Sequence, residues 1–234
     1  MNKFKVAIVT ATLNSDENIV ESFNSINHQL NSDVCWIIKD SQEIISPLLK
    51  KYNEENYIFV LSQKDESLYD GLNQAIDYMN AEYFIVLGAG DMLSDNAVNI
   101  ILTNLFNNPS IDIFFFSIFT TKNNSILKPI PSNIAFGMSV PHPGVLMKKE
   151  NFIKLNGFDT RYQIASDYDL ISRHLSLFSK IAWSDDVVSI FKGGGMSEKR
   201  WLIGQLEECI IMDKIHNIPY KQILRKLKFF VDQL

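Results

Sequence analysis

The chain predicts a single α/β domain with a mixed, mostly parallel central sheet flanked by helices. Two observations carry this. Short apolar runs at Val6–Val9, Val34–Lys39, Tyr57–Leu61 and Tyr83–Leu87 alternate with stretches of helical periodicity, as βαβ units require. The runs are continuously apolar instead of alternating, which suits strands buried on both faces. A third observation bears on function. The fourth run stops at Gly88-Ala89-Gly90-Asp91, and in an open α/β sheet ligands sit beyond the carboxyl ends of strands. Asp91 is thus placed where a phosphate-bound metal could be held. Gly88 and Gly90 let the backbone come close to a ligand.

Length and composition narrow the function classes. The 234 residues suffice for one domain with a sizeable core. A 46% apolar composition excludes a disordered chain, and a net charge of −5 argues against wholesale nucleic-acid binding. Cys35 and Cys209 lie in apolar segments without metal-ligand spacing, so burial as free thiols in a reducing compartment is expected. The N-terminus has no signal-peptide pattern. The most apolar run, Ile111–Phe119, is too short for a membrane span and carries Asp112. The expectation is a soluble cytoplasmic protein.

In chain order, Thr10-Ala11-Thr12-Leu13-Asn14 reads as a turn after the first strand. Asn14 and Glu17 form a capping box, and Ile19, Val20, Phe23 and Ile26 form the apolar face of the following helix. Asp40 ends the second strand; it can accept from a ring N–H or a ribose hydroxyl, or cap the helix at Pro47–Tyr52. The polar loop Gln63–Leu68 enters a helix at about Asp70 that ends near Asn80. Asp70 and Asn73 share a face, and N-terminal capping is the competing reading of Asp70. Beyond Asp91, Ser94 or Asp95 caps a helix to about Phe106, stopped by Asn107-Asn108-Pro109.

Ile111–Phe119 is a buried strand, and Ile126–Ile130 continues an antiparallel pair. Prolines 129, 131, 141 and 143 bracket Ser132–Val140, read as an irregular surface loop able to move over the site. A short helix covers Lys149–Leu155. Another opens within Tyr162–Leu170, where Asp167 and Asp169, two apart, cannot face the same way. Asp169 is spaced to pair with Arg173, which leaves Asp167 for the cleft. Lys180–Trp183 and Val187–Phe191 read as two strands. Lys192–Ser197 is a glycine loop lacking the Lys-Ser/Thr ending of a P-loop, which excludes that NTPase reading. Trp201–Met212 is helical. Pro219 opens a last helix with a stripe of Ile223, Leu224, Leu227, Phe230, Val231 and Leu234; Lys221, Arg225, Lys226 and Lys228 lie mostly off it. Core packing, a dimer contact and a membrane-surface helix all fit that pattern.

Tyr69-Asp70-Gly71-Leu72-Asn73-Gln74-Ala75-Ile76 followed by Leu87-Gly88-Ala89-Gly90-Asp91 resembles the family 2 inverting glycosyltransferases of the GT-A fold. Many of these read Tyr-Asp-Ala-Met-Asn-Lys-Gly-Ile and then Leu-Asn-Ala-Gly-Asp or a fuller Asp-x-Asp. The likeness runs from Val6 to about Ser197 and includes His142, Gly157-Phe158-Asp159 and the acids before Arg173. The resemblance implies a GT-A domain over 1–200, with a donor-binding half to about 91 and an acceptor-binding half after it, and a C-terminal helical extension over 201–234.

It also implies transfer of a sugar from a nucleotide-diphosphate donor, UDP by preference, to a glycan or lipid-linked acceptor. Thr10, Thr12, Asn14, Asp40, Asp70, Asn73, Gly90 and His142 would face the donor. Asp91 would hold Mn²⁺ or Mg²⁺. Asp169, Gly194 and Ser197 would lie on the acceptor side. Asp167 matches the family's catalytic base; Asp159 sits in the Gly-Phe-Asp turn. The chain departs from the family at Ser41-Gln42-Glu43, where Gly-Ser-x-Asp is usual, and at Pro143, where Gln is usual. Gly88 and Gly90 stand where fuller members carry acids, which keeps open a catalytically inactive sugar-nucleotide or glycan-binding module. A nucleotidyltransferase is the other competing reading. It would need a glycine-rich phosphate loop with a basic residue near the N-terminus, and Thr10–Asn14 has neither.

Overall fold

A computed structural model describes residues 4–12, 16–42, 44–219 and 222–223. Strands β1 (Phe4–Thr12), β2 (Val34–Asp40), β3 (Ile58–Ser62) and β4 (Ala81–Val86) form a parallel group in the order β3-β2-β1-β4. The sheet continues through β8 (Val145–Lys148), β6 (Ile113–Thr120), β9 (Ile181–Phe191) and β5 (Met92–Leu93), with β7 (Ser125–Leu127) antiparallel to β6. β8 is antiparallel to both β4 and β6, whereas β9 runs parallel to β6.

Two apolar layers cover this sheet. Val6, Ile8, Trp36 and Ile38 point to the layer made by α1 (Asp16–Ile26), α2 (Pro47–Tyr52) and α4 (Ala97–Asn107). Ala7, Val9, Cys35 and Ile37 point to the opposite layer, which holds α3 (Leu68–Tyr78), α5 (Lys149–Lys154), α6 (Ser166–Leu177) and α8 (Trp201–His216). The period of two along β1 and β2 therefore feeds both cores, and this explains the continuously apolar runs. Both cysteines are free and buried, and burial pushes the Cys35 thiol up to about 12. Among the described residues no helix is long and apolar enough to cross a membrane.

Several expectations change. Thr10–Thr12 continue β1 instead of turning, because the ladder with β2 runs on to the pair Thr12–Asp40. The stretch 180–191 gives one strand, not two. Phe116 aligns with Ser184 and Ser117 with Val187, so Asp185 and Asp186 form a bulge, and Ser184 Oγ donates to Asp186 Oδ2 at 2.6 Å. Val20 is exposed on α1, and Ser22 takes the buried position instead.

Helix α3 is capped by Ser67, whose Oγ accepts from Asp70 N at 3.2 Å; Asp70 is not its cap. Helix α4 starts after Asn96 in a left-handed conformation without a side-chain cap, since Ser94 Oγ instead donates to Val187 O. The proline-bracketed loop is not irregular: Pro131–Phe136 is a 3₁₀ segment, Ile134 and Val140 are buried, and Ile130 and Ser139 pair through their backbones. Of the last helix only Gln222 and Ile223 are described, as helical. Its basic residues Lys221, Arg225, Lys226 and Lys228 lie outside the described residues, as does most of its apolar stripe.

Candidate active site

The topology brings the expected residues to one edge of the sheet. β1 to β4, β6 and β9 all end there, and β8, antiparallel to β4, begins there. The strand order reverses between β1 and β4, which is the switch point where α/β sheets open a ligand crevice. Asp91 stands at that point.

Asp91 is held from several sides. Its N–H bonds Gly88 O, and its carbonyl accepts from Ser22 Oγ at 2.7 Å. Ser22 Oγ also accepts from Gly90 N at 3.0 Å. The Asp91 Oδ1 accepts from Lys192 N, at the end of β9, at 3.0 Å. At Gly88 a Cβ would come within 2.6 Å of Asp91 Oδ2, so a larger residue would displace that carboxylate. Gly90 has φ +97, in the region that favours glycine. Burial raises the Asp91 carboxyl to about 6, against the lowering effect of backbone N–H groups at Lys192 and Gly88.

On the nucleotide side, Asp40 is buried at the end of β2, and its Oδ1 accepts from Gln42 N at 3.3 Å. Around it Thr12, Ser41 and Ser62 each bury a hydroxyl that has no hydrogen-bond partner among the described residues. Buried polar groups are ordinarily satisfied, and these three lie together at the carboxyl ends of β1, β2 and β3. Thr10 does not share this role. It lies one layer deeper, where its Oγ1 accepts from Trp36 Nε1 at 3.0 Å. Asn14 lies outside the described residues.

Asp70 and Asn73, both expected to face the donor, are spent on chain geometry. Asp70 Oδ2 accepts from Glu66 N and Gln74 Nε2, both at 3.0 Å, and so ties the loop to α3. Asn73 clamps the Phe158 backbone, accepting its N–H at 2.9 Å and donating to its carbonyl at 3.0 Å. This joins α3 to the Gly157-Phe158-Asp159 turn, where Gly157 has φ +69 and a Cβ would meet Asn73 Oδ1 at 2.7 Å. Lys39, which the sequence did not single out, is fully buried. Its ammonium donates to Asp40 O, Gln63 O and Asp65 Oδ2 and so draws the ends of β2 and β3 to the loop before α3.

The other half of the edge gathers His142, Asp167 and Tyr69. His142 opens the 3₁₀ turn before β8, and its Nδ1 lies 3.6 Å from Asp167 Oδ2. Burial lowers the His142 pKa, with the Asp167 charge opposing. Tyr69 donates its hydroxyl to Ile164 O and lies 3.4 Å from Asp167 Oδ1. Burial, followed by the adjacent Asp167 charge, holds that phenol well above its usual range. Asp167 lines an open cleft with Ser197, Trp201, Gln205 and Glu208.

Asp169, in contrast, is buried and paired with Arg173 at 2.6 Å; Arg173 also donates to Leu155 O and Gly157 O. Asp159 is paired with Arg161 at 2.6 Å. Of Asp159, Asp167 and Asp169, the geometry leaves Asp167 facing the cleft. Asp169, expected on the acceptor side, serves instead to fasten α6 to the turn after α5. Gly194 (φ +76) sits in the exposed loop before α7 (Met196–Lys199), which carries Ser197 to the cleft.

Residues 7–169 match the sequence model of the family described as "Glycosyl transferase family 2". The chain belongs to this family. The family 2 glycosyltransferase also shares its GT-A fold with solved structures at low identity. It superposes on S. aureus TarS 1–349 with a TM-score of 0.70 and 14% identity, covering 95% of this chain and 71% of that one. The same TarS fragment in complex with UDP-GlcNAc gives 0.70 and 14%, over 97% and 72%. The mannosyltransferase PcManGT from Pyrobaculum calidifontis, in complex with GDP-Man and Mn²⁺, gives 0.68 and 14%, over 97% and 69%. The chain spans 43% of the longer TarS structure. No curated protein sequence matches it significantly.

Proposed function

We propose that this glycosyltransferase moves a sugar from a nucleoside-diphosphate donor, with UDP preferred, to a hydroxyl of a glycan or lipid-linked acceptor, with inversion at the anomeric carbon. One observation carries the reading: one side of the sheet has a buried carboxylate at the switch point, Asp91, and the chain offers a second one, Asp167, facing an open cleft. The acceptor hydroxyl gives its proton to Asp167 while its oxygen attacks the anomeric carbon. The bond from that carbon to the β-phosphate oxygen breaks, and its electron pair leaves with the diphosphate. His142 and Tyr69 orient the Asp167 carboxylate.

Asp91 is the residue that would hold a metal. Among the described residues no three His, Cys, Asp or Glu side chains stand together as a protein-only metal cage. That donor set suits Mg²⁺ or Mn²⁺, since Mg²⁺ is commonly bound by one or two carboxylates plus substrate phosphates. Such an ion, when bound, neutralises the departing diphosphate as a Lewis acid. The PcManGT complex with GDP-Man and Mn²⁺ supports the same reading.

Two results are expected. In a thermal-shift screen with MnCl₂, UDP should raise the melting temperature more than GDP or CDP, and Asp40→Asn should remove that preference. Equal shifts for the three nucleotides in the parent would set aside base reading by Asp40. The TarS complex with UDP-GlcNAc supports UDP as the first choice. The second result concerns pH. A metal needs the ionised Asp91, whose carboxyl is raised to about 6 by burial. The Mn²⁺-dependent increment in nucleotide affinity should be full above that pH and fall about tenfold per unit below it. Asp91→Asn should lose the increment at every pH; an unchanged increment in that variant would remove Asp91 as the ligand.

A further inference from the structure

Helix α8 lies beyond the family-matched residues 7–169, yet it carries a buried carboxylate that reaches the catalytic edge. Glu207 Oε1 accepts from Gln163 N at 2.7 Å, and its Oε2 accepts from Ile164 N and Ala165 N, both at 2.9 Å. Three successive backbone N–H groups turned to one side form a concave anion site. Here the anion is a side chain of the protein itself. These three residues lead directly into α6, whose N-cap, Ala165, supplies no side-chain hydrogen bond. Glu207 thus ties down, from another helix, the turn that leads into α6, and its bonds are charge-assisted, the stronger kind.

The same loop sets Asp167. The Ile164 carbonyl accepts the Tyr69 hydroxyl, which lies 3.4 Å from Asp167 Oδ1, and Asp167 is the second residue of α6. A second feature fixes the spacing between α8 and the loop. A Cβ on Gly204 would approach Ile164 Cγ2 to 2.9 Å, so glycine lets the helix lie close against Ile164. Gly204 and Glu207 are three apart and both are buried, which puts them on one face of α8.

We propose that Glu207 is a positioning residue for the Asp167 carboxylate, acting through the backbone of residues 163–165. The proposal rests on Asp167 being the general base. It assigns α8 a part in the reaction and not only in the core. Removing the carboxylate frees the loop, and displacement of a reacting group by about 1 Å can cost about 10²-fold in rate.

The test is a double-mutant cycle on release of nucleoside diphosphate from UDP-GlcNAc, UDP-glucose and GDP-mannose by water with MnCl₂, using the sugar nucleotide that the parent cleaves fastest. Glu207→Ala should lower kcat by about 10²-fold, with the donor KM within about twofold of the parent. Glu207→Gln, which keeps an acceptor oxygen, should fall between. Combined with Asp167→Asn, neither change should lower the rate further, because residues acting as a unit are not additive. Full additivity, or a parental kcat in folded Glu207→Ala, would overturn the proposal. So would the failure of both Glu207 variants to bind nucleotide, which would make Glu207 a requirement of the fold. A near-parental rate in Asp167→Asn alone would instead remove the base assignment.

Discussion

Asp167→Asn is expected to bind UDP and Mn²⁺ like the parent and to lose about 10²–10⁴-fold in turnover, the usual worth of a general base. Asparagine keeps the size of the side chain and an acceptor oxygen for Tyr168 N, which Asp167 Oδ1 now accepts at 2.8 Å. It cannot take a proton. Neither of the two acids nearest it in the chain can substitute, because Asp169 is tied to Arg173 and Asp159 to Arg161. Steady-state release of nucleoside diphosphate, beside nucleotide titration of the same preparation, checks this. Asp169→Asn should behave differently. It removes the carboxylate that orients the Arg173 guanidinium and so weakens the hold of α6 on Leu155 and Gly157. A folded, inactive Asp169→Asn together with an active Asp167→Asn would transfer the base to Asp169.

Lys39→Met is expected to cost about 3 kcal/mol of stability, the low end of what breaking a buried ion pair costs. The ammonium of Lys39 is fully buried, and Asp65 is 14% exposed. Methionine fills the space of the stem but leaves the Asp65 carboxylate and the carbonyls of Asp40 and Gln63 without their donor. The low end applies because Asp65 retains some water. For a chain of this length, a loss of that size lowers the melting temperature by roughly 10 °C. Nucleotide affinity should fall as well, since the three acceptors frame the ends of β2 and β3. Thermal melts of Lys39→Met and of Lys154→Met make the comparison. The Lys154–Glu150 pair is exposed, so its loss should leave the melting temperature nearly unchanged.

The sheet was legible where its strands are buried on both faces. β1 to β4 announce themselves as apolar runs because each residue meets one of two cores. β9 was not legible as one strand, since Asp185 and Asp186 bulge out of the ladder and look like a break in the sequence. The end of β1 was misread because threonine suits a strand as well as a turn.

At the site, Asp91 and the opposition of Asp167 and Asp169 could be read from strand ends and helical spacing. The clamp of Asn73 on Phe158 could not, because it joins residues 85 apart through backbone atoms that no side-chain pattern reports. Tyr69 stands inside the Tyr69–Ile76 motif, but its contact with Ile164 and Asp167 depends on how α3 meets α6. Lys39 resembled an ordinary end to an apolar run. Glu207 left no signal, since a single acid in a helix of mixed character is indistinguishable from a solvated one until its three backbone donors are seen.

The proposed glycosyl transfer puts Asp91 on the donor and Asp167 on the acceptor. The most direct measurement is nucleoside diphosphate release from UDP-GlcNAc, UDP-glucose and GDP-mannose, with MnCl₂ and with EDTA, by the parent, Asp91→Asn and Asp167→Asn. The parent should show Mn²⁺-dependent release, Asp91→Asn should lose the Mn²⁺ dependence, and Asp167→Asn should release slowly with parental nucleotide affinity. A parent that binds these nucleotides but releases no diphosphate from any of them would contradict the proposed transfer and leave a binding module instead.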